Sequence, residues 1–91
     1  MYKVAEYHYI DGSIFITARK DNRSYKKLVA DSNDPTNNSP AYRAIKNGML
    51  SHVEIIEDNL SKNDSNRFAN YLVRFYRSKG RNVLNIKNHP C

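Results

Sequence analysis

Nine polar side chains in two short stretches carry the chemistry most legible in this sequence. Arg67, Asn70, Arg74 and Arg77 fall at i, i+3, i+7 and i+10, a spacing that sets them along one stripe of a helix. Arg19, Lys20, Arg23, Lys26 and Lys27 crowd together upstream. Guanidinium and ammonium groups in such patterns displace counterions from phosphates, the footprint of a nucleic-acid surface. The ordinary alternative for the stripe is a solvated face of an amphipathic helix. The second cluster tips the balance toward a polyanion surface.

The charge distribution sharpens this. The 91 residues carry a net charge of +6, with a pI near 9.6. Residues 19–27 contribute +4 and residues 65–91 contribute +6 with no acid at all, whereas 1–18 and 28–64 are net negative. If the fold brings the two basic segments together, they make one positive surface.

Other chemistries find less support. His8, His52 and His89 belong to different elements and lack zinc-ligand spacing, so structural or solvent-facing histidines are expected and no metal or cofactor is implied. Gly12, Gly48 and Gly80 stand alone, each explicable as a turn or cap, so there is no phosphate-binding glycine loop. No local signature joins Ser, His and carboxylate into a triad. Tyr2, Tyr7 and Tyr9 could offer bases a stacking platform, but ordinary sheet packing is the favoured reading. Cys91 is the only cysteine and can neither staple the fold nor join a Cys/His cluster. No apolar run reaches the roughly 18 residues that would span a bilayer, and no signal-peptide pattern opens the chain. A reducing, cytoplasmic setting is expected.

The elements that must position these residues follow from local patterning. Aromatic and β-branched residues from Tyr2 to Tyr9 and from Ser13 to Ala18 flank Asp11-Gly12, a strong hairpin signal. Asp21 is placed to cap a short helix from Asn22 to about Val29, with Tyr25, Leu28 and Val29 on its apolar side. The run from Asp31 to Pro40 reads as loop. Ser39 and Pro40 suit the N-cap and first position of a helix ending at Asn47, with Gly48 beyond it. His52 to Glu57 reads as a third strand. Ser61-Lys62-Asn63-Asp64 is a capping-box variant opening a helix that runs to about Lys79 and stops at Gly80. Phe68, Leu72, Phe75 and Tyr76 would form its buried face. Asn82 to Ile86 would be a short extended tail. The expected fold is one α/β (α+β) domain: a small three-stranded, mainly antiparallel sheet flanked by three helices.

That order of elements resembles the GIY-YIG nuclease domain over nearly the whole chain. The motif pair falls on Met1-Tyr2 and on Phe15-Ile16-Thr17. Asp11-Gly12-Ser13-Ile14-Phe15-Ile16 is similar to the family's Asn-Gly-Lys-Ile-Tyr-Ile connection. Ser39 to Gly48 resembles its short central helix, Val53 to Glu57 its third strand, and Tyr71 to Asn85 its terminal helix and Asn-containing tail.

The departures carry the functional expectation. The family's second-motif Tyr helps generate the nucleophile, an Arg on its first helix stabilises phosphate charge, and a Glu on its long helix holds a divalent metal. Here the Tyr position is Phe15 and the Gly after the motif's Ile is Thr17. The Arg position is Tyr25, with Arg23 two residues away. The Glu position is Ala69, and no carboxylate occurs after Asp64. Hard cations want carboxylate oxygen, so the resemblance implies a domain without catalysis.

Three functions remain open. The first is an inactive module binding nucleic acid through Arg19, Lys20, Arg23, Lys26, Lys27, Arg67, Asn70, Arg74 and Arg77. The second is a small protein inhibitor or accessory subunit, of viral origin for instance and then acting in the host cytoplasm, that docks on a nucleic-acid-processing enzyme. The third is a divergent metal-dependent endonuclease using displaced residues such as Arg23 with Tyr25. The first is favoured.

Overall fold

A computed structural model describes residues 1–20, 25–36 and 39–85, with backbone only at Tyr25 and Lys26. In chain order it contains β1 (Tyr2–Tyr9), β2 (Ile14–Arg19), α1 (Tyr25–Ser32), α2 (Pro40–Lys46), β3 (Leu50–Leu60) and α3 (Lys62–Ser78). The three strands form one antiparallel sheet in the order β2-β1-β3. This is the expected α+β architecture.

The hairpin closes over Ile10, Asp11 and Gly12. Tyr9 N–H donates to Ser13 C=O at 3.0 Å, and Gly12 N–H donates to Tyr9 C=O at 3.0 Å. Gly12 has a φ of 88°, which only glycine adopts freely. Asp11 Oδ1 accepts the Ser13 amide at 2.9 Å.

The alternation of β1 divides the interior into two cores. Ala5, Tyr7 and Tyr9 join Phe15, Leu28, Ala41, Ile45 and Leu50 on the face covered by α1 and α2. Val4 joins Ile14, Ile16, Ala69, Leu72, Val73 and Val83 on the face covered by α3. A strand whose successive side chains face opposite ways, with helices on both sides, is buried on both faces, as β1 is from Val4 to Tyr7, although Glu6 is among the buried residues.

Helix ends follow the local chemistry. Ser39 Oγ accepts the Tyr42 amide at 3.4 Å ahead of α2, and Ser61 Oγ accepts the Asp64 amide at 3.1 Å ahead of α3. The first helix ends later than Val29. It continues through Asp31 and Ser32, so the 31–40 segment is not loop from its start. Ser32 Oγ (2.7 Å) and Asn33 Nδ2 (3.1 Å) both donate to Val29 C=O, satisfying the carbonyl where the last turn frays. Its N-cap, expected at Asp21, lies outside the described residues.

The third strand is also longer than His52–Glu57. Leu50 to Leu60 pairs along all of β1, with register shifts between Tyr2 and Val4, Val4 and Ala5, and His8 and Tyr9. These bulges break the period-two pattern, which hides the strand's ends in sequence. Asn59 lies in the bulge between the Glu57 and Leu60 pairings with a φ of 59°, a conformation Asn tolerates better than most residues.

The buried stripe of α3 is Ser65, Ala69, Leu72 and Val73, rotated from the expected Phe68, Leu72, Phe75 and Tyr76. Ser65 and Ala69 let the helix approach the sheet closely. Phe68 and Tyr76 are then half-buried at its margins, and Phe75 is 40% exposed. The tail runs beside β2 through a single parallel bridge between Val83 and Ile14. Asn85 extends it: its Oδ1 accepts the Ile16 amide and its Nδ2 donates to Ile16 C=O, both at 3.0 Å. One side chain thus covers part of the open edge of β2. Ile86 lies outside the described residues.

Candidate functional site

Of the positions matched to nuclease catalysis, Phe15, Thr17 and Ala69 are core positions. Phe15 is 2% exposed and packs against Tyr7, with ring centroids 5.6 Å apart. Thr17 and Ala69 are equally buried. The Tyr25 side chain lies outside the described residues. Tyr7 and Tyr9 are also buried, and Tyr9 Oη donates to Ala41 C=O at 3.3 Å, which removes them from any stacking platform.

The cationic residues divide between the two layers. Arg67 and Arg74 are exposed on α3, and Asn70 is half-buried between them. Arg77 belongs less to this stripe than its spacing implies, because its guanidinium donates to Asn85 C=O and holds the tail. Lys27 belongs to α1, on the opposite face of the sheet, and its Nζ lies 3.7 Å from Asp31 Oδ1, one turn along the helix. Arg19 and Lys20 close β2, with Arg19 half-buried and Lys20 exposed. Lys20 Nζ lies 5.7 Å from the centre of the Tyr2 ring. The Arg23 and Lys26 side chains lie outside the described residues. The two basic helices are therefore on opposite sides of the sheet, not merged on one face.

A polar cluster on the α3 face escaped sequence reading. In the β1–β3 ladder Glu6 faces Glu54 and His8 faces His52, so Glu6-x-His8 and His52-x-Glu54 form a square on one side of the sheet. His8 Nε2 lies 2.9 Å from Glu6 Oε1 and 3.4 Å from Glu54 Oε2. The two imidazoles stack with centroids 4.6 Å apart. Glu6 is 2% exposed, and Tyr76 Oη donates to its Oε2 at 2.6 Å. Burial, and then the bond to Glu6, push the Tyr76 phenol up to about 12. Arg81 covers the Tyr76 ring at 5.6 Å and donates to Gly12 C=O at 3.3 Å. His8 and His52 do lie on different elements, β1 and β3, as expected, but the ladder brings their rings together. Their strands are sequence-distant but adjacent, and the mirror-image motifs Glu-x-His and His-x-Glu were the signal. His89 lies outside the described residues.

A second flank of α3 is apolar and open. Tyr71 is 59% and Phe75 40% exposed, their rings stacked at 6.0 Å, with Lys79 Nζ 5.5 Å from the Phe75 centroid. Among the described residues no helix is long and apolar enough to cross a membrane. Protein-family models, curated proteins and solved structures gave no match to this chain.

Proposed function

We propose that this domain is a non-catalytic module that binds nucleic acid through α3, with Arg67 and Arg74 as phosphate contacts and Asn70 between them. The observation that carries the reading is the charge state of that helix. Both arginines are exposed, neither is ion-paired among the described residues, and no carboxylate occurs between Asp64 and the end of the chain. They lie two turns apart, about 10 Å along the axis, a reach comparable to a few phosphates of a strand. Lys20, at the end of β2, extends the positive potential from the sheet. Phosphate contacts of this kind position a backbone without reading sequence.

The test is binding of a labelled short duplex and single strand at two salt concentrations, with Mg²⁺ present and strand lengths checked afterwards. Binding that weakens steeply with salt while strands stay whole supports the reading. No binding at low salt overturns it. Cleavage that EDTA abolishes would show catalytic residues elsewhere and a divergent endonuclease.

A protein partner is the second reading, favoured by the exposed Tyr71–Phe75 pair. Aromatic side chains that cover no core are frequent anchors of protein interfaces. An inhibitor or accessory subunit docking there on a nucleic-acid-processing enzyme would form a one-to-one complex that survives nuclease treatment, and Tyr71→Ala would weaken it.

A further inference from the structure

In the square of Glu6, His8, His52 and Glu54, the inner member Glu6 is buried against Tyr76, but His52 and Glu54 are exposed and contribute nothing to either core. Two carboxylates on directly opposed positions of neighbouring strands repel each other, and a cation between them removes that cost. The donor atoms of His8, His52 and Glu54 all lie within 4.8 Å of one another. The 3.4 Å between His8 Nε2 and Glu54 Oε2 matches the roughly 3.4 Å that separates donors placed about 2.0–2.1 Å from a tetrahedral ion.

We infer that His8, His52 and Glu54 form a binding site for a divalent first-row transition ion, zinc foremost, that clips the edge strand β3 to the central strand β1. Two imidazoles and one carboxylate suit zinc, whereas magnesium and calcium prefer oxygen alone. The ladder fixes where all three side chains start, so most of the ordering needed for binding is already present in the fold. The stacked rings must tilt apart to aim at one point, and His52, exposed at the sheet edge, has the freedom to turn. Ser51 Oγ lies 3.2 Å from His52 Nδ1, so that nitrogen has a partner while Nε2 serves the ion. To ligate the ion His8 Nε2 gives up its hydrogen bond to Glu6 Oε1, and Glu6, still held by Tyr76, adds a second negative charge beside the site. Solvent fills the remaining coordination position.

The experiment titrates the full-length protein with Zn²⁺, and separately with Mg²⁺, by calorimetry and thermal melting, with Co²⁺ absorption as a reporter of ligand geometry. One equivalent of Zn²⁺ is expected to bind at micromolar concentration or tighter and raise Tm, and Mg²⁺ to do neither. His52→Ala and Glu54→Gln, both surface changes that leave the two cores intact, should each weaken Zn²⁺ at least tenfold. Cys91→Ser and His89→Ala should leave it unchanged. Absence of Zn²⁺ binding, or binding that survives both His52→Ala and Glu54→Gln, or binding lost with Cys91→Ser, overturns the assignment.

Discussion

Glu6 is the residue on which the polar chemistry of the α3 face converges. A carboxylate at 2% exposure must be paired, and it receives the Tyr76 hydroxyl on one oxygen and the His8 ring on the other. Tyr76→Phe removes the first of these and leaves a buried carboxylate oxygen without its donor. The expected loss is about 1–3 kcal/mol in urea denaturation, with nucleic-acid binding unaffected. The same pair sets a pH limit. The phenol titrates near 10 unfolded and about 12 folded, so the folded state favours its neutral form. Its contribution is fully present below pH 10 and is lost as pH rises from about 10 through 12. Stability measured across that window should fall more steeply in the wild-type protein than in Tyr76→Phe. Tyrosinate absorbance should show one late-ionising group that the variant lacks.

At the level of elements, α3 serves three purposes with three flanks. Ser65, Ala69, Leu72 and Val73 lie on the sheet, Arg67 and Arg74 face solvent, and Tyr71 and Phe75 form an aromatic strip. Its N-cap is a matter of stability alone. Ser61→Ala removes the acceptor of the Asp64 amide and should cost about 1 kcal/mol without changing the salt dependence of binding. Asn85 matters in a different way, because it stands in for a strand. Asn85→Ala deletes both bonds to Ile16 and uncovers that part of the β2 edge. A loss of about 1–3 kcal/mol is expected, with concentration-dependent association, detectable by light scattering, as the edge finds another chain.

For the whole molecule, the sheet separates the basic helices, and this separation can be tested directly. Arg67→Ala with Arg74→Ala removes two cations from the α3 side. If both contact phosphates, the slope of log affinity against log salt should become shallower by about 2. Lys27→Ala lies across the sheet, where Asp31 already offsets the charge, and should leave that slope unchanged. A large effect of Lys27 instead would mean that the ligand wraps both faces. Zinc binding is expected to be independent of these variants, since its inferred ligands sit on β1 and β3.

Local sequence determined what local physics controls. Asp-Gly between two β-branched runs was enough to give the hairpin, and Ser39-Pro40 and Ser61 to Asp64 were enough to start two helices. Gly48 and Gly80 followed as residues able to adopt the positive φ at helix ends. Strand count, helix count and the antiparallel sheet followed from those signals in order. Only the tertiary structure decided how the elements face one another. The helical stripe of Arg67, Asn70, Arg74 and Arg77 was legible as a stripe, but Asn85, eight residues beyond Arg77, takes that guanidinium for the tail. Hydrophobicity pointed α3 toward the sheet through its phenylalanines. Close packing chose the small residues Ser65 and Ala69 instead, because a helix on a twisted sheet approaches where side chains are short. Lys27 of α1 shares a charge with Arg67 and Arg74 of α3 but not a face, since β1 buries both its sides and a helix layer covers each. His8 and His52, 44 positions apart, meet because strand register is a long-range property that no single segment encodes.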